Sequence, residues 1–290
     1  MHQPVLLEKV IKYLNPKSGD NFVDCTIGEA GHSQAILEMI QPGGKVLGID
    51  IDSKSLKKIK PQERLFLVHG NFKDLKKIIE ENHFENVKGV LFDLGLSSWQ
   101  IEESGRGFTF KKDEPLIMIL NSKQEVAAEE IVNTWPEESL IEIFRRYGQE
   151  KYARKIVSQI VSQRKLRPIK TTFQLKEIIK KSIPFSKTRR GKINRVLARL
   201  FQSLRIVIND ELENLKKGLT QAMEIIIPNG RIVVISFHSL EDRIVKNFFK
   251  DKERENQLRI LTKKPITPDE IEISLNSRSR SAKLRAAMKI

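Results

Sequence analysis

The chain has 290 residues, with 52 Lys and Arg against 37 Asp and Glu, for a formal net charge of +15 at pH 7. Its 39% apolar and 31% charged residues fit a globular protein with one large α/β domain or two smaller ones. No run approaches the ~20 apolar residues that cross a bilayer. Met1-His2-Gln3-Pro4 lacks the basic-then-apolar pattern of a secretory signal. The single Cys25 excludes an internal disulfide and a cysteine-built zinc site, and no other cluster has metal-ligand spacing. A reducing cytoplasm, no membrane partner and no bound metal are therefore expected, with Cys25 as a small buried filler.

In chain order, Pro4 to Tyr13 reads as an amphipathic helix and Phe22-Val23 opens a first strand. A glycine-bearing turn (Val23-Asp-Cys-Thr-Ile-Gly-Glu-Ala-Gly-His32) leads into a helix from His32 to Met39. Gly43-Gly44 ends that helix, and Lys45 to Ile49 forms a second strand finishing at Asp50 and Asp52. A short helix from Ser53 to Ile59, a third strand from Leu65 to Val68, a helix from Leu75 to Glu81 and a fourth strand from Val87 to Phe92 follow. Such alternation predicts a parallel sheet with helices on both faces. Ligands of these sheets bind at the carboxyl ends of the strands, where Asp24–Gly31, Asp50, Gly70–Phe72 and Asp93–Ser98 converge. The turn has only Gly28 and Gly31 of a full dinucleotide fingerprint and no phosphate-gripping Lys-Ser/Thr. It suits a smaller nucleoside ligand such as S-adenosylmethionine (SAM), with an acid after the second strand accepting the ribose hydroxyls. A purely structural glycine turn is the alternative.

After Phe110 the alternation stops. Gln124–Asn133, Pro136–Tyr147, Glu150–Arg164, Thr172–Lys181 and Arg195–Lys217 all carry helical periodicity. The α/β pattern resumes with a helix from Leu219 to Ile227, a core strand from Arg231 to Ser236, and a helix opened by a capping box at Ser239-Leu-Glu-Asp242. Leu258–Leu261 and Leu284–Ala287 read as closing strands. The predicted organisation is a discontinuous domain of residues 1–121 and 206–290, with a helical domain of residues 122–205 inserted. Most of the charge sits in the insert, which is net +12 from Ser122 to Arg205. Lys187 to Arg205 holds seven basic residues and no acid, a density that phosphate backbones neutralise. A solvated helix face is the plainer reading.

Asp93, at the end of the fourth strand, can accept hydrogen bonds from an exocyclic amine or cap the turn that follows. Gly95 permits close approach there. His32 either touches the ligand or caps its helix. His238 with Glu241-Asp242 suggests acid–base chemistry or capping. Trp99, Phe108 and Phe110 around Arg106 either stack on a single-stranded base or close over the pocket.

These segments resemble the bacterial 16S ribosomal RNA cytosine-N4 methyltransferases of the RsmH (MraW) type over nearly the full length. The match runs through His2–Glu8, Val23–Ser33, Gly48–Asp52, Gly70–Phe72, Asp93–Gln100 and Arg106–Phe110. It continues through Tyr147-Gly148, Ala153-Arg154, Phe201–Ile206, Asn209–Leu212, Ser236–Arg243 and Ser277–Arg285. The resemblance implies a Rossmann-like SAM-dependent methyltransferase sheet with the helical insert recognising substrate. It implies methyl transfer to N4 of a cytidine in the decoding region of the small subunit, with free RNA or the 30S subunit as partner. The oligomeric state stays open between monomer and homodimer. It further implies SAM held by Ala30, Gly31, His32, Asp50, Phe72, Asp93 and Gln100. Asp93, Ser97 and Ser98 are the expected catalytic residues, and Arg106, Phe108, Arg189, Arg190, Arg195, Arg199 and His238 the expected RNA contacts. Four departures stand out. Asp113–Asn121 replaces two acids, an arginine and a glycine of the family pattern, and Ile117 and Ile119 fall within it. Asn194–Arg199 and Ser277 also differ. Ala30 replaces a usual glycine, tolerable if φ there is negative. The loop change motivates an alternative, a diverged SAM- and ribosome-binding protein with weak or lost transferase activity.

Overall fold

The computed structural model describes residues 4–121, 124–183 and 190–290. The chain divides into two units, Met1–Gly95 with Leu212–Ile290, and Leu96–Glu211. In the first, strands β1 (Asn21–Asp24), β2 (Val46–Asp50), β3 (Leu65–His69), β4 (Val87–Asp93), β5 (Ile226–Ser236), β6 (Leu258–Ile260) and β7 (Lys283–Lys289) form one sheet. Their order is β3-β2-β1-β4-β5-β7-β6. The first five strands are parallel, and β7 runs antiparallel to both β5 and β6. The helices in chain order are α1 (Leu7–Leu14), α2 (Gly31–Met39), α3 (Ser53–Leu56), α4 (Leu75–Glu81), α5 (Ser98–Glu102), α6 (Ala128–Thr134), α7 (Glu137–Arg146), α8 (Ala153–Leu166), α9 (Thr172–Ser182), α10 (Arg190–Asn209), α11 (Glu211–Ile225), α12 (Ser239–Arg254) and α13 (Glu270–Leu275).

The central strands are apolar on both faces, as a sheet covered on both sides requires. Because side chains alternate along a strand, Leu47, Ile49, Val90, Phe92, Ile232 and Val234 enter one core with Leu75, Ile78, Val245 and Phe249. Val46, Leu91, Val233 and Ile235 enter the other with Val10, Leu14, Ile36 and Leu37. Gly48 lets the turn after β1 lie on β2, since a Cβ there would stand 2.1 Å from Ile27 Cδ1. The helical unit has its own core, with Leu140, Phe144, Ile156, Leu175, Leu197 and Leu200 fully buried.

The division falls at Gly95/Leu96 and Glu211/Leu212, outside the expected limits of residues 122–205. Leu116 and Met118 are buried in the helical core. Asn209 ties that segment to α10, donating from Nδ2 to the Met118 carbonyl (2.9 Å) and accepting from Leu120 N–H (2.8 Å). The helix expected over Arg195–Lys217 is two, broken at Asp210, whose φ of 50° is a left-handed conformation that Asp tolerates. Residues Leu219–Ile225 continue α11, and β5 starts at Ile226, inside the segment expected to be helical. The helix expected from Gln124 begins at Ala128, where the carbonyls of Ile117 and Leu116 accept the N–H groups of Ala128 and Glu129. The cap of α12 is His238 with Glu241, one residue before the expected Ser239.

The turn after β1 corrects one expectation. Ala30 has φ of 63°, so the position keeps the left-handed geometry of a glycine, with an alanine that is 6% exposed. The left-handed region costs a non-glycine residue ~1–2 kcal/mol. Ala30→Gly relieves this but forfeits ~0.8 kcal/mol of buried methyl and ~0.5–1 kcal/mol of chain entropy. Urea unfolding of Ala30→Gly should therefore match the parent within ~0.5 kcal/mol. Ala30→Val, β-branched in a left-handed and crowded site, should lose ~2–4 kcal/mol; equal effects of the two would contradict the assigned backbone.

Candidate active site

Three aspartates close adjacent strands: Asp50 on β2, Asp24 on β1 and Asp93 on β4. The chain order reverses between β1 and β4, which is where open α/β sheets leave a crevice for ligands. Each carboxylate is met by the turn after β1 or its surroundings. Asp24 accepts the Ser33 hydroxyl (2.7 Å) and the Thr26 N–H (3.2 Å). Asp50 accepts the N–H groups of Gly28 (3.0 Å) and Asp52 (2.8 Å). The Asp93 N–H donates to Thr26 Oγ1 at 2.6 Å, fastening the end of β4 to that turn. Asp93 Oδ2 stands 3.6 Å from His32 Nδ1. Its Oδ1 is buried and has no hydrogen-bond partner among the described residues.

Burial dominates the electrostatics. It raises Asp24 and Asp93 above the usual carboxylate range, with His32 the largest opposing influence on both. Asp50 is pushed up to about 6 by burial, against the pull of the Asp52 and Gly28 N–H groups. Burial likewise pushes the Cys25 thiol up, with the Asp24 charge adding to it, so Cys25 is an inert core filler.

The other expected residues divide by unit. In the sheet unit, Gly31 lies under the Pro4 ring, where a Cβ would meet Pro4 Cγ at 2.4 Å. His32 is buried and does not cap α2: its Nε2 lies 2.9 Å from the Val5 carbonyl, and the cap residue is Ala30. Phe72 follows β3 and sets its ring edge-on to Phe92, centroids 5.5 Å apart. Gly95 serves packing: a Cβ there would meet the Phe237 ring at 2.8 Å, so that space is filled by protein. His238 caps α12 and pairs with Glu241 at 3.1 Å, its side chain 9% exposed.

In the helical unit, Ser97 and Gln100 form the capping box of α5: Ser97 Oγ accepts Gln100 N–H at 3.2 Å, and Gln100 Oε1 accepts Ser97 N–H at 3.0 Å. Ser98 opens α5. Arg106 is a loop clamp. Its guanidinium lies between the rings of Trp99 and Phe108, 5.2 and 5.3 Å away, and donates to the carbonyls of Ile119 (3.0 Å) and Leu120 (3.5 Å). Phe110 packs edge-on to Phe201. Arg189 lies outside the described residues, and Arg190 opens α10 with its side chain outside them. Arg195 is exposed, and Arg199 pairs with the buried Glu150 while donating to the Gly148 carbonyl at 3.0 Å. With Lys151, Tyr152 and Lys192 these two arginines line a groove of about 450 Å³. Sequence reasoning missed Thr26, Ser33, Lys151 and Lys192. Thr26 and Ser33 carry a signal in hindsight, because an aspartate ending a buried strand needs local donors.

The whole chain, residues 1–290, matches the model of the MraW methylase family. The ribosomal RNA small subunit methyltransferase H of Clostridium botulinum (strain Loch Maree / Type A3) is 43% identical over 308 residues, covering 100% of this chain and 99% of that protein. Proteins of the same name from Halothermothrix orenii and Carboxydothermus hydrogenoformans are each 42% identical, covering 100% of this chain and 98% of theirs. With the sheet order, the acidic strand ends and this full-length match together, the chain belongs to the MraW methylase family.

Proposed function

We propose that the protein transfers the methyl group of SAM to N4 of a cytidine in the decoding region of small-subunit ribosomal RNA, acting in the cytoplasm on RNA or the 30S subunit. The observation that carries this reading is Asp93 Oδ1, a buried acceptor at a strand end with no hydrogen-bond partner among the described residues. The small subunit RNA enters through the names of the 42–43% identical relatives.

The acidic strand ends fit the cofactor. Asp50 uses two of its roughly four lone-pair sites on Gly28 and Asp52, which leaves acceptors for two ribose hydroxyls. Adjacent carboxylates suit a cationic sulfonium better than a phosphate. SAM supplies an electrophilic methyl in an in-line displacement, so positioning contributes much of the rate. An aromatic amine is a poor nucleophile because its lone pair is delocalised into the ring. Asp93, accepting an N4–H, favours a pyramidal nitrogen and stabilises the positive charge that develops on it. The basic groove at Lys151, Lys192 and Arg195 offers phosphate contacts for RNA.

The altered loop does not favour the alternative of lost activity. Its path is held by backbone bonds, including Met118 N–H to the Arg106 carbonyl (2.7 Å) and Leu116 N–H to the Lys170 carbonyl (2.9 Å), while Ile117 and Ile119 are only half-buried. Purified protein given radiolabelled SAM and unmodified small subunits should form N4-methylcytidine, identified by mass spectrometry of digested RNA. Asp93→Asn should lose ~100-fold or more. Ile117→Asp/Ile119→Arg should change the rate by less than ~3-fold. Incorporation only in that double variant would establish the alternative.

Asp50 gives a pH signature. Ribose hydroxyls bind its ionised form, so apparent SAM affinity should weaken as pH falls below about 6, approaching ~10-fold per unit, and flatten in Asp50→Asn. Its stability contribution has its own sign. The folded state holds this proton more tightly than the unfolded state, whose value is near 3.8. The contribution is therefore complete below that value and lost as pH rises through about 6. Calorimetric SAM titrations from about pH 5 to 8 check the affinity; a flat profile in the parent protein would contradict it.

A further inference from the structure

The basic run from Ser277 to Arg285 takes no part in the acidic strand ends, yet it reaches the same edge of the sheet. Asp93 pairs with Ile235 on β5, and Ile235 pairs with Leu284 on β7. Leu284 therefore stands two strand spacings, ~10 Å, from Asp93. Because β7 runs antiparallel to β5, Lys283 lies opposite Ser236, at the carboxyl end of β5. Just before it, a 3₁₀ turn (Ser277–Ser281) buries Ser279 completely and leaves Arg280 exposed. That turn is fixed from within. Ser279 Oγ donates to the Asn276 carbonyl at 2.8 Å, and the Ala282 N–H donates to the Ser279 carbonyl at 2.7 Å.

The cations of this run divide into one that builds the fold and others that do not. Arg285 is 7% exposed and gives Asp242 both arms of its fork, Nε to Oδ1 at 2.6 Å and Nη2 to Oδ2 at 3.2 Å. That pair joins β7 to α12. Lys283 Nζ, 3.8 Å from Asp242 Oδ2, meets a carboxylate that Arg285 already neutralises. Arg280, and Arg243 beside Asp242 on α12, are exposed and make no hydrogen bond or ion pair among the described residues. Acids close by are engaged. Glu241 holds His238 and the N–H groups of Phe237 and His238. Asp269 and Glu272 of α13 accept the N–H groups of Glu272 (2.8 Å) and Leu6 (2.7 Å). Exposed cations gathered at a sheet edge repel one another, and a phosphate backbone relieves this while releasing its own counterions. We propose that Arg280 and Lys283, with Arg243 beside them, grip the phosphates of the RNA strand whose base reaches Asp93. Arg280 offers a fork that fits a phosphate bidentately, and Lys283 a point charge. Such contacts carry no base information, so they set the register of the strand at the crevice.

The inference rests on the methyl-transfer reading for the identity of the polyanion, but binding is measured without turnover. The probe is protein-free small-subunit RNA, titrated with the full-length protein by filter binding between about 50 and 200 mM salt. Arg280→Gln/Lys283→Gln should weaken binding ~10-fold and flatten the slope of log affinity against log salt by ~1–2. Lys17→Gln/Lys45→Gln removes the same charge from exposed positions ahead of β1 and β2, at the opposite edge of the sheet, and should leave the slope at the parent value. An unchanged slope in the first pair overturns the proposal. Equal losses in both pairs overturn it too, because net charge would then be the cause. SAM affinity by calorimetry should stay at the parent value in Arg280→Gln/Lys283→Gln, and a loss there matching the loss for RNA would mark a disturbed fold and overturn the proposal. With subunits as substrate, KM should rise ~10-fold while kcat holds. A parent protein that shows these slopes without methylating RNA would refute the reading and leave the phosphate grip standing.

Discussion

The constraint on which this structure turns is the burial of three carboxylates at the ends of neighbouring parallel strands. An ionised carboxylate taken out of water without partners costs several kcal/mol. Asp24, Asp50 and Asp93 cannot help one another, since their charges are alike. The turn after β1 and the start of α2 are shaped by the need to answer them: Thr26, Gly28 and Ser33 deliver hydrogen-bond donors, and His32 Nδ1 stands 3.6 Å from Asp93. The positive φ at Gly28 and Ala30 follows from making so short a turn face two strands at once. Gly48 and Gly31 then remove side chains where the turn meets β2 and Pro4. Packing, backbone strain and electrostatics here have one origin.

The same constraint connects to the proposed chemistry. A pocket edged by carboxylates selects a cationic cofactor, and the donors around that edge leave one oxygen, Asp93 Oδ1, without a hydrogen-bond partner among the described residues. A stability-minded design would have satisfied that atom. An acceptor left open for a reacting amine is what the proposed function requires.

Much of this was legible in the residues. The alternation of strands and helices up to Asp93 and the resumption at Arg231 follow from apolar runs buried on both faces, and such runs read the same in sequence and in space. The carboxyl-edge convergence of Asp50, Phe72 and Asp93 was legible for the same reason. Contacts between distant segments were not. Nothing local announces that the carbonyls of Leu116 and Ile117 start α6, or that Leu116 and Met118 belong to the helical core. The break at Asp210 lies in a continuous helical pattern and depends on one backbone angle. Arg106 looked like an RNA contact because its aromatic neighbours suit a base equally well; in the fold they hold its own guanidinium.

The central claim is that this acidic edge, with Asp93 as acceptor, methylates a cytidine of the small-subunit RNA. The most direct measurement is nucleoside mass spectrometry of small-subunit RNA from cells lacking this gene, complemented with the parent chain or with Asp93→Asn. N4-methylcytidine should vanish on deletion, return with the parent and stay absent with Asp93→Asn. An unchanged nucleoside profile on deletion, or full recovery with Asp93→Asn, would contradict the account.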